Sequence, residues 1–158
     1  MTLITESAED FAAALPDGGV LLGLDPGTKT IGMALCDAGW RFATAAKTVE
    51  RGKFARDAVS LAAIIEERGV RGIVCGLPRN MDGSEGARAQ SVRSLARNLS
   101  GALTLPILLW DERWSTVSAE RHLIGQDFSR AKRATMIDAH AAAVILQGAI
   151  DRLAQIGE

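Results

Sequence analysis

Two apolar runs flank a short polar turn over residues 20–37, which read VLLGLDPGTKTIGMALCD. An apolar run ends in Asp25, Pro26 and Gly27 supply a turn signal, and a second alternating run follows. Two such runs around a short turn predict a β-hairpin. The hairpin would place one carboxylate, that of Asp25, at the end of an apolar strand.

The remaining pattern alternates between strands and helices. A third strand is predicted over Ala43–Val49, and short buried strands over Gly72–Cys75 and Leu105–Trp110. Apolar residues at helical spacing predict four helices: Phe54–Arg68, Ala87–Leu99, a helix from Ser115 or Thr116 to Ile124, and Arg133–Leu153. We expect Gly69 to cap the first helix, Ser100 and Gly101 to end the second, and Gln126–Lys132 to form a loop.

Residues 1–19 are expected to form a peripheral N-terminal arm, with a short amphipathic piece over Ser7–Leu15 before a Pro- and Gly-containing turn. Residues 20–158 are expected to form one domain. Three sequential strands followed by alternating helices and strands predict an α/β fold, a mixed sheet with helices on both faces. This is the element order of a ribonuclease H-like fold.

Composition narrows the classes of protein that fit. The 158 residues are 47% hydrophobic and 23% charged, as in one ordinary globular domain. No run approaches the roughly 20 apolar residues of a membrane span, and no basic leader begins the chain, so we expect a cytoplasmic protein. Cys36 and Cys75 lie far apart without CxxC spacing, so both are interpreted as buried thiols rather than a zinc site or a disulfide.

Acidic residues mark the candidate chemistry. Asp25 ends a strand, although an Asp before Pro and Gly can equally cap its own turn. Asp111 and Glu112 end another strand, and because neighbours on extended backbone point to opposite sides, at most one is expected to join Asp25. Asp138 interrupts the apolar stripe of the last helix, where an unpartnered acid is rare. Small residues around Asp138 would let that helix approach the strand ends.

Three carboxylates without a Cys or His cluster favour a hard divalent cation, Mg²⁺ or Mn²⁺, over zinc. Two such ions about 3.5–4 Å apart would suit hydrolysis of a phosphodiester. His140 lies about 200° around the last helix from Asp138, and neither it nor His122 is expected in the site. The residues therefore predict metal-dependent phosphodiester cleavage.

Basic residues near these acids are candidates for phosphate contacts. The net charge is only −1, but local basic patches suffice to hold a phosphate backbone. Any one of them is as easily a solvated surface charge; the expectation rests on the set. The candidates are Lys29, Arg79, Arg88, Arg113, Arg130, Lys132 and Arg133. Trp40, Trp110 and Trp114 could stack on bases, with Trp110 more typical of a core residue.

Four segments together resemble the YqgF/RuvX family of pre-16S ribosomal RNA nucleases and Holliday-junction-resolvase-like proteins. They are GLDPGTKTIGMALCD from Gly23, GLPRNMDGSEGARAQSVRSLARNL from Gly76, WDERWST from Trp110 and SRAKRATMIDAHAAAVILQ from Ser129. The resemblance implies a ribonuclease H-like fold, maturation of the 5′ end of ribosomal RNA, and contact with RNA and ribosomal components or with branched DNA. It implies that Asp25, Glu112 and Asp138 are the metal-binding catalytic acids.

The chain departs from the family pattern at three places. The usual Lys-Arg pair of the first motif is Lys29-Thr30, and the usual Leu after Asp-Glu-Arg is Trp114. Related resolvases place an acid directly after the fourth strand, where this chain has Gly76 and Leu77. Glu112 therefore stands in for that middle acid, and the choice between Asp111 and Glu112 stays open.

Two other classes of function fit parts of the pattern. A nucleotide-binding lobe of the actin and sugar-kinase type also begins with a hairpin that carries Asp, Gly and Thr, but two such lobes normally enclose a nucleotide. A catalytically silent, ribosome-associated factor could keep the fold for recognition alone. Within the nuclease class, Holliday junction resolution is the alternative to ribosomal RNA processing.

Overall fold

The computed structural model describes residues 2–114 and 130–156, with side chains from residue 139 onward in the second range. The strands are β1 (Ile4–Thr5), β2 (Val20–Pro26), β3 (Thr30–Cys36), β4 (Ala43–Glu50), β5 (Val70–Leu77) and β6 (Ile107–Asp111). The helices are α1 (Ala8–Ala14), α2 (Phe54–Arg68), α3 (Ala87–Leu103) and α4 (Arg130–Ile156), and a 3-10 helix spans Glu112–Trp114.

The six strands form one mixed sheet in the order β1-β6-β5-β2-β3-β4. β2, β3 and β4 pair antiparallel, whereas β5 lies parallel to β2, β6 parallel to β5, and β1 parallel to β6. The predicted antiparallel start with later parallel strands is therefore confirmed. The carboxyl ends of β2, β5 and β6 consequently meet at one edge of the sheet.

A hydrophobic layer lies on each face of the sheet, because successive strand residues point to opposite sides. On one face, Leu22, Leu24, Ile73 and other strand residues pack with apolar residues of α2 and α3. On the other face, Leu21, Val74 and their neighbours pack with α1 and α4. Both cysteines are buried as expected, and burial raises the pKa of the Cys36 thiol to about 11.

The N-terminal segment departs from the expected peripheral arm. Ile4 and Thr5 pair with Ile107 and Leu108 as the edge strand of the sheet. The predicted short helix forms as α1, and its Phe11 is fully buried against β5, where a Cβ added to Gly72 would lie 2.9 Å from the Phe11 ring. A two-residue strand carries no periodicity, so nothing in the local pattern revealed this docking.

Most predicted element bounds agree with the structure to within a few residues. Gly69 caps α2 as expected, with a left-handed φ of +62°. Ser100 and Gly101 do not end their helix; α3 continues to Leu103 because its apolar stripe continues and Gly101 sits on its exposed side. α4 begins at Arg130 rather than Arg133, so the predicted loop is too long at that end. The predicted helix from Ser115 and residues 126–129 lie outside the described residues.

Among the described residues, none of the helices combines the length and the apolar character that crossing a membrane requires.

Candidate functional site

Asp25 lies at the carboxyl end of β2 and is 2% exposed. It pairs with Gly32 of β3, so the strand beside it contributes no side chain. Two residues earlier, Gly23 faces α4: a Cβ there would lie 2.8 Å from Leu146 Cβ and 3.2 Å from the Ala142 carbonyl oxygen. Since residues i and i+2 share a face, the Asp25 carboxylate lies on the α4 side of the sheet.

Glu112 lies on the same side, directly after β6. A Cβ added to Gly76 would lie 2.9 Å from Glu112 Oε1 and 2.7 Å from Ile145 Cδ1 of α4. Gly76 follows Cys75, which pairs with Leu24, the residue before Asp25. Asp25 and Glu112 therefore meet over two neighbouring strands, which are about 4.8 Å apart. The absent side chain at Gly76 provides the space that the Glu112 side chain occupies.

The two carboxylates also affect the pKa of one buried thiol, that of Cys75. Burial raises the pKa of Cys75, and the negative charges of Asp25 and Glu112 raise it further, while the positive charge of Arg51 opposes them. Cys75 is completely buried at the end of β5. All three charged groups are therefore within electrostatic reach of the carboxyl edge of the sheet.

The backbone of α4 brings the third predicted acid to this edge. Gln147 Oε1 accepts a hydrogen bond from Ala43 N at 2.8 Å, at the opposite edge of the sheet. Earlier residues of α4 consequently extend toward the carboxyl end of β2. Asp138 lies one helical turn before Ala142, the residue that packs on Gly23. The side chain of Asp138 lies outside the described part of the structure.

Within the described side chains, which exclude those of 115–138, no three His, Cys, Asp or Glu residues form a metal-binding group. Asp25 and Glu112 supply hard carboxylate oxygens of the type that Mg²⁺ and Mn²⁺ prefer. The donor chemistry of these two acids thus fits a divalent cation, and Asp138 stays a predicted third ligand.

Asp111 takes a different role from Glu112. Its side chain is 2% exposed and accepts hydrogen bonds from Arg113 Nη2 at 2.6 Å and from Arg79 Nη1 at 3.3 Å. Although burial raises the pKa of this carboxyl, its bonds to Arg113 and Arg79 hold it below the ordinary value overall. The Asp111 carboxylate is therefore hydrogen-bonded to two arginines. Glu112 is left as the acid that faces Asp25.

Arg79 and Arg113 belong to a cluster of three arginines and three acids, here called the arginine–acid network. Glu85 Oε1 accepts from Arg93 Nε at 2.6 Å, and Glu85 Oε2 accepts from Arg79 Nη2 at 3.1 Å. Glu6 pairs with both Arg79 and Arg93. The members are Glu6, Arg79, Glu85, Arg93, Asp111 and Arg113. Their charges balance, so a role of Arg79 and Arg113 in phosphate binding stays a prediction.

Arg51 is a residue of the site that the sequence analysis missed. Its Nη1 donates to the Gly27 carbonyl oxygen at 2.7 Å and its Nη2 to Ser91 Oγ at 3.3 Å, while its backbone N donates to the Lys29 carbonyl oxygen at 2.8 Å. It thereby ties the turn after Asp25 to α3. The only sequence signal is a lone arginine after the third strand, which does not distinguish it from a surface residue.

A cleft of about 360 Å³ opens beside this turn, lined by residues that include Gly27, Thr28, Arg51 and Arg88. Arg88 is exposed on the first turn of α3, and Lys29 is exposed at the hairpin tip. The structure thus brings two of the predicted basic residues, together with Arg51, to the carboxyl edge near Asp25. The side chains of Arg130, Lys132 and Arg133 lie outside the described part.

The remaining candidates are the tryptophans and the histidines. Trp110 is 7% exposed, as expected for a core residue, and Trp40 Nε1 donates to the Gly19 carbonyl oxygen at 2.8 Å. Trp114 is 60% exposed. His140 is half-buried on α4, and His122 lies outside the described residues.

Comparisons with known proteins agree with this architecture. Residues 19–152 match the family model described as "RuvX: Holliday junction resolvase". A protein of Novosphingobium aromaticivorans named "Putative pre-16S rRNA nuclease" is 65% identical over 152 residues, which cover 96% of this chain and 97% of that protein. A protein of the same name from Sphingopyxis alaskensis is 60% identical over 151 residues, covering 96% and 99%.

Among solved structures, RuvC of Thermus thermophilus in complex with a Holliday junction substrate aligns with a TM-score of 0.53. The alignment covers 85% of this chain and 94% of RuvC at 11% identity, and a second T. thermophilus RuvC structure gives 0.50 at 12% identity, covering 84% and 95%. These likenesses confirm the ribonuclease H-like mixed sheet. With the family model matching residues 19–152, the chain belongs to the RuvX family of Holliday junction resolvases.

Proposed function

We propose that this protein is a metal-dependent nuclease that hydrolyses phosphodiester bonds in the maturation of the 5′ end of pre-16S ribosomal RNA. The observation that carries the proposal is the meeting of Asp25 and Glu112 at the carboxyl edge of the sheet, over the space that Gly76 leaves. The relatives named for pre-16S rRNA support the choice of substrate. A cytoplasmic location and contacts with ribosomal components follow from that substrate.

Asp25, Glu112 and Asp138 would hold the divalent cations, Mg²⁺ or Mn²⁺ and in our proposal two of them. When bound, such ions activate the attacking water and stabilise the leaving oxygen of a phosphodiester. Burial of Asp25 prepares the site, because a carboxylate with little access to water attracts a cation strongly. The hairpin also fits a nucleotide-binding lobe of the actin and sugar-kinase type. The match to the RuvX family model is what favours the nuclease over that alternative.

The basic residues near the turn act on the substrate backbone. Arg51 holds the turn between Asp25 and β3 in one conformation through its bonds to Gly27 and Lys29. Lys29 and Arg88 are both exposed near the turn after Asp25, and we propose that they contact phosphates flanking the scissile one. Arg130, Lys132 and Arg133 precede Asp138 on α4 and are proposed to extend this contact.

Holliday junction resolution is the second candidate, since the family model carries that description. Both activities need the same acids, so the substrate assay separates them. We would incubate the wild type, Asp25→Asn and Asp138→Asn with single-stranded RNA, a pre-16S precursor and a four-way DNA junction. Each mixture would contain Mg²⁺, Mn²⁺ or EDTA.

We expect metal-dependent cleavage of the precursor that falls at least about 100-fold in both variants, since even residues behind a metal ligand cost 10–100-fold. Added Mg²⁺ should raise the Tm of the wild type more than that of Asp25→Asn, because a ligand stabilises the state that binds it. Asp10→Asn, at an exposed acid of α1, is the matched control. Unchanged cleavage by Asp25→Asn would refute the proposal, and binding without cleavage would favour a recognition factor.

A further inference from the structure

Trp114 is a large aromatic residue on the surface beside the candidate site. It is 60% exposed and belongs to the same three-residue 3-10 helix as Glu112. Its 3-10 helix follows β6, and β6 lies two strands, about 10 Å, from β2, which carries Asp25. At about 3.4 Å per nucleotide, Trp114 lies within several nucleotides of Asp25 along a bound strand.

The Trp114 ring packs against a buried aromatic neighbour. It makes an edge-to-face contact with Trp110, with ring centroids 5.2 Å apart and an interplanar angle of 83°. Trp110 is itself buried between β6 and α4, where a Cβ added to Gly148 would lie 3.4 Å from the Trp110 ring. A ring packed against a buried neighbour, with most of its surface accessible, suits stacking because little conformational entropy is lost on contact.

A cleft of about 450 Å³ lies next to this ring, between the 3-10 helix, the start of α1 and α4. The carboxylates of Glu6 and Glu9 line it, and Glu9 pairs with Arg152 at 2.6 Å. Glu6 also pairs with Arg79 and Arg93, so both carboxylates of the cleft are matched by arginines and the cleft offers little net charge to a phosphate group. A neutral, flat nucleobase needs no such charge and gains contact with the ring.

From this arrangement we propose that Trp114 stacks on an unpaired base of the nucleic acid bound at the candidate site. The inference rests on the proposed function, and it adds that the protein recognises single-stranded substrate next to the cleavage point. A base within a duplex is already stacked and cannot offer its face to the ring. Trp114 therefore favours single-stranded over double-stranded RNA.

The test is equilibrium binding of a 12-nucleotide single-stranded RNA and of the matching RNA duplex, in EDTA to prevent cleavage. Stacking on one aromatic side chain contributes roughly 5- to 150-fold in affinity. Trp114→Ala and Trp114→Leu should lose single-strand affinity in that range, and Trp114→Phe should retain most of it. Duplex binding should stay the same in all three, and RNA should quench tryptophan emission less in Trp114→Phe than in the wild type.

Phe42→Ala is the matched control, because Phe42 is 74% exposed but precedes β4 at the opposite edge of the sheet. Circular dichroism of every variant verifies folding. Wild-type affinity of Trp114→Ala for the single strand would overturn the inference, as would equal losses in Trp114→Leu and Trp114→Phe. Loss of cleavage in Asp25→Asn is measured separately, so the stacking proposal and the nuclease proposal fail by different results.

Discussion

At the scale of single residues, the glycine after Cys75 shapes the candidate site as much as the acids do. Glu112 occupies the space where a side chain of residue 76 would stand, and α4 closes over the same point through Ile145. The sequence marks Gly76 only as a departure from an expected acid. The structure explains this departure, since the space left by Gly76 on β5 admits the carboxylate of Glu112, the residue directly after β6.

Gly76→Ala tests this account. The added Cβ would lie 2.7 Å from Ile145 Cδ1 and 2.9 Å from Glu112 Oε1, so both must move. Both atoms end flexible side chains that can shift, so we expect a loss of stability of no more than about 1 kcal/mol. The cleavage rate should fall at least about tenfold, because Glu112 is displaced. Urea denaturation and the RNA cleavage assay measure the two effects.

Gly101→Ala is the control for that variant, because a Cβ at this exposed helical position meets nothing within 4 Å. It should gain about 0.5–1 kcal/mol from helix propensity and leave the cleavage rate unchanged. If Gly76→Ala retained the wild-type cleavage rate, Glu112 would not be the acid that partners Asp25.

Arg51 acts through the turn that it holds. Its guanidinium donates from two nitrogens, to Gly27 and to Ser91, and a lysine ammonium cannot reproduce this planar geometry. Arg51→Lys should therefore lower the cleavage rate by about tenfold and accelerate hydrogen exchange of the amides of residues 27–30. RNA affinity should change little, because the charge remains.

Arg97→Lys, at an exposed position of α3, is the control and should match the wild type in both measurements. Unchanged exchange in the turn of Arg51→Lys would show that Arg51 does not position it. A large loss of RNA affinity in Arg51→Lys would instead indicate that Arg51 contacts phosphate directly.

At the scale of elements, the N-terminal helix contributes to the core despite its length of seven residues. Phe11 is fully buried between Leu15, Leu21 and the backbone of Gly72. Phe11→Ala should lower the unfolding free energy by about 3–5 kcal/mol, because the missing ring would leave a cavity between α1 and the sheet. Chemical denaturation measures this loss.

Phe42→Ala, which removes an exposed ring of the same size, should change the unfolding free energy by no more than about 0.5 kcal/mol. A comparably small effect of Phe11→Ala would restore the prediction that residues 1–19 form a peripheral arm. The expected large effect would show that the segment is part of the folding unit.

The elements that the sequence predicted are those with a periodic pattern or a continuous apolar run. β2, β3 and α2 follow from alternation or helical spacing over seven residues or more, and Gly69 follows from the left-handed cap it allows. β1 escaped prediction because two residues have no period, and the end of α3 because an exposed Gly is tolerated in a helix that packs well. Tertiary packing decided both cases.

The same limit applies to the site. The position of Asp25 follows from a strand, a turn and their order, all of which are local. The division of roles between Asp111 and Glu112 depends on Arg79, which is 32 residues away in the sequence, and on the space at Gly76. The bonds of Arg51 to Gly27 and Ser91 join three separate elements, so local pattern could not reveal them.

At the scale of the whole molecule, the arginine–acid network joins segments that are distant in the sequence. Glu6 comes from the segment before α1, Arg79 and Glu85 from the loop after β5, Arg93 from α3, and Asp111 from the end of β6. The network thereby fastens the N-terminal segment and the loop after β5 to the sheet edge that carries the site. Its stability should depend on both pH and salt.

The stability that Glu85 contributes should fall as the pH is lowered. The bonds of Glu85 to Arg93, and then to Arg79, hold its pKa at about 2, below the ordinary 4.5. The unfolded chain therefore binds the proton first as pH falls, and stability contributed by Glu85 is complete above about pH 4.5 and is lost progressively toward pH 2. The lowered pKa of Asp111 acts in the same direction.

Glu85→Gln should accordingly be less stable than the wild type at pH 7, and the difference should shrink as pH falls from 4.5 to 2. Sodium chloride at about 1 M should narrow the pH 7 difference, since it screens partly exposed pairs. Glu66→Gln, at an exposed acid of α2, should show neither effect. Thermal unfolding of the three proteins across this pH range measures the prediction, and a difference that stays constant from pH 7 to pH 2 would contradict it. Because Glu85 bonds to Arg79 of the loop after β5 and to Arg93 of α3, a loss of cleavage in Glu85→Gln would indicate that the network supports the site by holding that loop in place.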